Sequence, residues 1–144
     1  MQVTSVTRDG YEISTDKDRL DIDWLVSALS ERAYWAQRRS RDLIVRSLGN
    51  SRCYGVYAGG RQVGFARVVT DEATFAWLCD VFVDEAWRGR GLGGWLIETI
   101  VAEPELASLR RFILATRDAA GLYRRHGGFD ALPYPERWMA RVND

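Results

Sequence analysis

Four glycines lie within six residues directly after a predicted β-strand, and a helical pattern begins among them: Gly89, Gly91, Gly93 and Gly94. Because glycine has no Cβ atom, the backbone N–H groups of such a turn can approach an anion closely, and the positive end of the following helix adds to the attraction. Arg88 and Arg90 place two fixed positive charges at the same turn. These residues predict a site for an anionic cofactor that carries a pyrophosphate.

Two carboxylates near this turn are candidates for proton transfer. Asp80 lies inside the strand before the glycines, and Glu72 lies in the turn that leads into that strand. Either side chain could act as a general base. A buried Asp80 that accepts hydrogen bonds would instead have a lowered pKa and would be a poor base. His126, the only histidine, precedes two glycines at a predicted helix end, where it more commonly serves as a favourable charge at the C-terminal dipole.

Length and composition limit the classes of protein that fit. The chain has 144 residues, which is close to the commonest size of one globular domain, so we expect a single domain over residues 1–144. With 47% hydrophobic and 28% charged residues, the chain is not of the disordered class. Its 20 basic and 20 acidic side chains cancel, which argues against a nucleic-acid-binding protein and indicates a local ligand for the arginines beside the glycines.

The cysteines and the N-terminus indicate where in the cell the protein is located. Cys53 and Cys79 lie in apolar, strand-like runs, so we expect two free thiols rather than a disulfide or a metal site. The first residues do not resemble a leader, and no run approaches the ~18 apolar residues of a membrane span. We therefore expect a soluble, cytoplasmic protein with no metal.

Periodicity and turn residues place the glycines within an alternating order of elements. Strand patterns are predicted at residues 11–14, 53–57, 62–69, 74–83, 111–116, 129–132 and 137–142. Helical patterns are predicted at about residues 18–29, 41–48, 92–102 and 118–125. Gly59 and Gly60 separate two of the strands and predict a hairpin, because paired glycines accept the positive φ of a tight turn.

The glycine motif fits a second class of protein as well. Residues 89–94 formally match the Gly-x-Gly-x-x-Gly pattern of dinucleotide-binding oxidoreductases, and Asp118 follows the next strand as a ribose-binding acid would. Such folds usually place the motif in the first strand–helix unit, whereas antiparallel strands come first here. This alternative is therefore the less favoured one. No Gly-Lys-Ser/Thr follows the glycines, which excludes a nucleoside triphosphate loop.

The order of elements and two motifs resemble the GNAT N-acetyltransferases. Arg88-Gly-Arg-Gly-Leu-Gly93 matches the family's Arg/Gln-x-x-Gly-x-Gly/Ala signature directly after a strand. Residues 119–129 resemble the family's later helix, in which a tyrosine is followed by Gly-Phe, although one additional glycine is present here. The resemblance implies an α+β, three-layer α/β fold with a central, mixed but mostly antiparallel twisted sheet of about seven strands flanked by about four helices.

The resemblance also implies a cosubstrate and a site. Acetyl-CoA would lie where residues 78–83 splay from residues 111–116, with its pantetheine arm along the strand and its pyrophosphate on the glycine turn. The cofactor-binding residues would be Val81, Phe82, Val83, Arg88, Gly89, Arg90, Gly91, Leu92, Gly93 and Gly94. The catalytic residues would be Tyr123, as the acid that protonates the leaving thiolate, and Asp80, as a base.

The acceptor is less constrained by the sequence. We expect a primary amine of a small molecule or peptide, bound by Tyr34, Trp35 and Arg38 in the segment between the first two helices. Core packing of the two aromatic residues is the competing interpretation. A non-catalytic acyl-CoA-binding sensor would carry the same signature and is the alternative function. Separately, exposed strand edges near the C-terminus favour a homodimer.

Overall fold

The fold was examined in a computed structural model that describes residues 2–33 and 39–143. Six strands form one sheet in the order β1-β2-β3-β4-β5-β6, with antiparallel neighbours except for the parallel pair β5 and β6. The strands are β1 (Ser5–Arg8), β2 (Tyr11–Ser14), β3 (Arg52–Ala58), β4 (Arg61–Thr70), β5 (Phe75–Val83) and β6 (Arg111–Leu114). The helices are α1 (Ile22–Ser27), α2 (Arg41–Gly49), α3 (Leu92–Ala102), α4 (Pro104–Ala107) and α5 (Ala120–Gly127).

Local signals account for many of these boundaries. Gly59 and Gly60 adopt φ values of 57° and 84° between β3 and β4, so the predicted hairpin is confirmed. Asp21 and Ser40 accept hydrogen bonds from backbone N–H groups in the first turns of α1 and α2. A π-helical turn, Ala28–Arg32, continues α1.

Two hydrophobic clusters cover the two faces of the sheet. One packs α3 and α4 against the sheet and includes Tyr54, Val68, Leu78, Trp95, Leu96 and Ile100. The other packs α1 and α2 against the opposite face and includes Leu25, Leu29, Ile44, Phe65 and Phe82. The result is the three-layer α+β fold that the sequence predicts, with six strands and five helices in the described residues.

The C-terminal prediction was wrong. A final hairpin over 129–132 and 137–142 does not form in the described residues, where the segment is irregular apart from a 3₁₀ turn at Pro135–Arg137. Pro133 and Pro135 lie in the predicted loop, where Tyr134 between them has a φ of 53°, and the 3₁₀ turn takes in Arg137, the first residue of the predicted second strand. Alternating side chains alone did not make a strand there.

Smaller differences have local causes. The opening strand is a hairpin of β1 and β2, because Asp9 and Gly10 adopt positive φ and reverse the chain. The last helix runs from Ala120 to Gly127, so it begins and ends about two residues later than predicted; its N-cap is Ala119 and not Asp118, and no side chain caps it. None of the helices in the described ranges is long and apolar enough to cross a membrane.

A buried ion pair joins the sheet to the end of α3. Arg52 on β3 lies 2.7 Å from Glu103 (Nη2 to Oε2), and the exposed fractions of the two side chains are 1% and 7%. Glu72 and Glu105 lie farther from the same guanidinium, at 3.6 and 3.8 Å. Removing one partner of a buried pair leaves an uncompensated charge, whereas exposed pairs contribute little.

We expect Glu103→Ala to lower the free energy of unfolding by about 3 kcal/mol, at the lower end for a broken buried pair because Glu72 and Glu105 offset part of the Arg52 charge. Arg41→Ala, which breaks the exposed pair of Arg41 and Asp23, is the matched control and should change little. Urea denaturation at pH 7 measures both. Equal losses in the two variants would contradict the assignment.

Candidate functional site

The parallel pair β5 and β6 separates partway along its length. Pairing runs from Phe75 opposite Arg111 to Leu78 opposite Leu114, and β6 ends there. Residues 79–83 of β5 continue without a ladder partner on that side within the described chain. Their backbone N–H and C=O groups therefore border an opening, at the place where the resemblance implies that the two strands splay.

A β-bulge on the other side of β5 bends the strand at the same place. Phe65 pairs with Phe82 and Arg67 pairs with Cys79, so two residues of β5 oppose one residue of β4. Asp80, the first of the two, has a φ of 56°. Among residues other than glycine, aspartate and asparagine adopt this left-handed conformation most readily. A bulge adds local twist and bends its strand, which turns β5 away from β6.

The extra residue also reverses the alternation of β5. Before the bulge, Leu78 packs in the cluster beneath α3. After it, Val81 and Val83 pack against that cluster and Phe82 packs on the opposite face. The Asp80 side chain meets two arginines at the point where the alternation changes.

Asp80 lies between two guanidinium groups. Its Oδ1 accepts from Arg39 Nη2 at 2.7 Å, and its Oδ2 accepts from Arg39 Nη1 at 3.0 Å and from Arg67 Nε at 2.9 Å. The exposed fraction of the Asp80 side chain is 5%. Burial favours the neutral acid, but hydrogen bonds and charge from Arg39 and Arg67 outweigh it and lower the Asp80 pKa. The carboxylate is thus ionised at neutral pH and is a weak base.

The glycine turn follows β5 through a short 3₁₀ turn, Glu85–Trp87. Gly89 and Gly91 have φ values of 80° and 78°, which a residue with a Cβ atom adopts only with strain. Gly91 precedes the first turn of α3 and provides no side-chain cap, so the N–H groups at that helix end point outward. Both features are typical of turns that bind phosphate.

The two arginines of the signature serve different partners. Arg88 Nε donates to the Val83 carbonyl at 3.0 Å and so links the turn to the end of β5. Arg90 Nη1 donates to the Tyr11 hydroxyl at 3.2 Å, and its guanidinium lies over the Trp87 ring. Arg90 does not line the opening described below.

These elements enclose a cleft of about 1390 Å³. Of the predicted site residues, the following line it: Asp80, Val81, Phe82, Val83, Arg88, Gly89, Gly91, Leu92, Gly93, Gly94 and Tyr123. Tyr123 lies on α5, and its ring is 6.2 Å from that of Phe129. The predicted acceptor residues Tyr34, Trp35 and Arg38 lie outside the described residues.

The other sequence candidates have identifiable positions. Glu72 lies outside the cleft, beside Arg52, and is therefore not placed to act as a base. His126 lines the cleft and lies 2.6 Å from Glu98 (Nδ1 to Oε2). A Cβ atom added at Gly94 would be 2.6 Å from the His126 ring, so this glycine allows α5 to approach α3.

Sequence reasoning missed four arginines of the cleft: Arg32, Arg39, Arg67 and Arg117. Arg67 interrupts the apolar run of β4, and this charge within a buried strand was the available signal. Cys79 also lines the cleft, and burial raises the pKa of its thiol to about 11. Cys53 and Cys79 are both free thiols, as expected.

The charge of Asp80 can be tested separately from its backbone conformation, because Asp80→Asn keeps a side chain that tolerates positive φ. We expect the variant to be about 3 kcal/mol less stable at pH 7, since two guanidiniums lose their carboxylate. Because the Asp80 pKa is lower in the folded state than its value of about 4 in the unfolded chain, the ionised carboxylate stabilises the fold above about pH 4. This stabilisation is lost as the pH falls through the folded-state pKa. The free energies of unfolding of the wild type and Asp80→Asn, measured by denaturation, should therefore approach each other between pH 7 and pH 3. A difference that stays constant would contradict the assignment.

Comparisons with known proteins agree with this geometry. A model of the acetyltransferase (GNAT) domain matches residues 49–127. A candidate acetyltransferase of Gibberella zeae is 30% identical over 142 residues, which span 85% of this chain and 80% of that protein. A solved structure from Xanthomonas campestris pv. campestris, described as belonging to the GNAT family, is 43% identical, with a TM-score of 0.90 over 95% of this chain and 96% of its own.

A more distant structure shares the fold alone. The GNAT family acetyltransferase of Elizabethkingia anophelis, solved with acetyl-CoA bound, is 15% identical over 82% of this chain and 75% of its own, with a TM-score of 0.61. The family model spans more than half of the sequence, and the Xanthomonas structure matches the fold almost throughout. The chain therefore belongs to the GNAT family of acetyltransferases.

Proposed function

We propose that the protein transfers an acetyl group from acetyl-CoA to a primary amine of a small molecule or peptide by direct attack. The observation that carries this proposal is the bulged, unpaired stretch of β5 that borders the cleft and leads into the glycine turn. Together they offer one continuous surface of backbone groups for a long, anionic cosubstrate. The reaction is that of an acyltransferase.

The residues present fit acetyl-CoA. The N–H groups of residues 89–94 would hold the pyrophosphate, since positive φ at Gly89 and Gly91 turns the backbone toward an anion. The unpaired edge of residues 81–83 would pair with the amides of the pantetheine arm as with an added strand. Backbone N–H groups of the same edge would polarise the thioester carbonyl.

Direct attack is favoured over a covalent acyl-enzyme. Cys79 is the thiol in the described cleft lining, and burial raises its pKa to about 11, which leaves little thiolate at neutral pH. In direct transfer, the neutral amine forms a C–N bond with the acetyl carbon and the C–S bond breaks. The amine loses a proton, and the thiolate of coenzyme A gains one.

We assign Tyr123 to the protonation of the leaving coenzyme A thiolate. Tyr123 lines the cleft from α5, and its phenol could donate to the leaving thiolate. The sequence analysis proposed Asp80 as the base that takes the proton of the amine. Because Arg39 and Arg67 lower its pKa, we assign it instead to holding those arginines, with water taking the amine proton.

We also propose a cytoplasmic location and a homodimer. A cytoplasmic location suits a protein with free thiols. A homodimer would use the open edge of β6 and the adjoining tail, where Met139 and Val142 expose 98% and 78% of their surface.

The role of the glycine turn predicts a difference between two glycine variants. Gly91→Ala should weaken acetyl-CoA binding about tenfold, because φ near 78° strains a residue with a Cβ atom and the loop must shift. Gly49→Ala is the control and should bind acetyl-CoA as the wild type does, since the added Cβ atom meets nothing within 4 Å and the residue lies outside the cleft lining. Calorimetric titration measures both affinities, and an unchanged affinity for Gly91→Ala would refute the assignment.

The role of Tyr123 separates an enzyme from a cofactor-binding sensor. Tyr123→Phe should lower kcat for any accepted amine by about 10²-fold, while acetyl-CoA affinity stays near that of the wild type. Tyr134→Phe, at an exposed tyrosine of the tail, serves as the control. Release of coenzyme A reports turnover. Unchanged turnover in Tyr123→Phe removes the acid role, and saturable acetyl-CoA binding without turnover on a broad amine panel favours the sensor.

A further inference from the structure

Positive charge is concentrated in the cleft although the chain as a whole is neutral. The chain has 20 basic and 20 acidic side chains. The described residues that line the cleft include five arginines but only two aspartates: Arg32, Arg39, Arg67, Arg88 and Arg117, with Asp80 and Asp118. The phosphates of acetyl-CoA account for arginines beside the glycine turn. They do not account for the arginines on the face that α1 and α2 cover.

On that face, one cluster keeps an excess of positive charge. Arg32 is offset by Asp84, whose carboxylate lies 3.1 Å away. Arg39 and Arg67 share the single carboxylate of Asp80, so the three groups carry one net positive charge. The exposed fractions of the Arg39 and Arg67 side chains are 20% and 11%. Burying a positive charge to this extent costs free energy unless an anion pairs with it.

The two guanidiniums are held in place and keep donors for a ligand. A guanidinium has five N–H groups. Between described residues, Arg39 uses two of them on Asp80, and Arg67 uses one on Asp80 and one on Ser51 Oγ. Asp80 therefore acts as a clamp that orients both side chains at the cleft wall. Oriented guanidiniums match the two oxygens of a carboxylate.

An aromatic surface lies on the same face of the sheet. Trp77 lines the cleft, and 42% of its surface is exposed. Trp77 pairs across the sheet with Val69, and Cys79 pairs with Arg67, so the indole lies two residues along β5 from the position opposite Arg67. Two residues of a strand span about 7 Å, which is the scale of a small amino acid.

We propose that the acceptor is an amino carboxylate, whose carboxylate binds Arg39 and Arg67 and whose amine is acetylated. This inference rests on the proposed acetyl transfer. A monoanion matches the single excess charge of the cluster better than a dianionic phosphate does. The same excess charge disfavours a protonated amine nearby and so helps to supply the neutral nucleophile, which the clamped Asp80 cannot do well as a base.

The test compares amines that differ in one charged group. The probes are L-phenylalanine with L-phenylalaninamide, L-leucine with L-leucinamide, β-alanine with β-alaninamide, and O-phosphoethanolamine with ethanolamine. Binding is measured by calorimetry on protein saturated with coenzyme A, and turnover is measured as coenzyme A released from acetyl-CoA. We expect at least one carboxylate to exceed its amide by about tenfold or more in both affinity and kcat/KM.

Variants locate the preference. Arg39→Met should raise KM for the carboxylate about tenfold and leave KM for the amide unchanged, whereas Arg39→Lys should keep part of the preference. Arg41→Met, at an exposed arginine on α2 outside the cleft lining, should behave as the wild type. If Arg39→Met does not fold, the wild-type pairs alone decide the question.

The outcomes separate the two proposals. Carboxylate-selective binding without any turnover supports the anion site and refutes acetyl transfer. Turnover in which amides equal or exceed their carboxylates overturns the anion site and leaves acetyl transfer intact. A preference for the phosphate-bearing amine over every carboxylate also overturns it. So does an Arg39→Met variant that keeps wild-type affinity for acetyl-CoA and loses activity equally on both members of a pair.

Discussion

The left-handed backbone of Asp80 is the constraint on which the site depends. At this residue β5 gains one position relative to β4, so the strand bends and its side chains exchange faces. Beyond Leu78 the parallel partner β6 no longer pairs, and a stretch of backbone borders the cleft. A regular strand at this place would continue the sheet and leave no edge for a cosubstrate.

The same residue offsets the cost of this geometry through its side chain. A left-handed conformation costs roughly 1–2 kcal/mol for most residues, and aspartate is among those that tolerate it best. Its buried carboxylate then requires compensation, which Arg39 and Arg67 provide. The backbone distortion and the cationic cluster thus both depend on Asp80, which links the shape of the cleft to its charge.

Local patterns predicted the parts of the fold that local interactions determine. The helix at residues 92–102 and the hairpin around Gly59 follow from periodicity and turn residues, and the structure places both as predicted. The glycine turn was found for the same reason. The strand prediction for the tail over 129–142 failed because a strand needs a partner as well as an alternating pattern, and the chain between the two predicted strands forms a 3₁₀ turn that takes in Arg137.

Contacts between distant residues could not be predicted in this way. Arg39 is 41 residues from Asp80, and Arg67 is 13 residues away on the neighbouring strand, so no spacing rule connects them. The unusual backbone at Asp80 is visible only once the register of β4 and β5 is known. Sequence reasoning therefore identified Asp80 as important, while its partners had to come from the structure.

The central claim is that acetyl-CoA binds along the unpaired edge of β5. Amide hydrogen exchange in the presence and absence of saturating acetyl-CoA tests it most directly, with NAD as a ligand that should have no effect. We expect bound acetyl-CoA to slow amide exchange at Val81–Val83 and in the glycine turn, and to leave exchange in the tail after Phe129 unchanged. Saturable acetyl-CoA binding that leaves exchange at Val81–Val83 unchanged would contradict it.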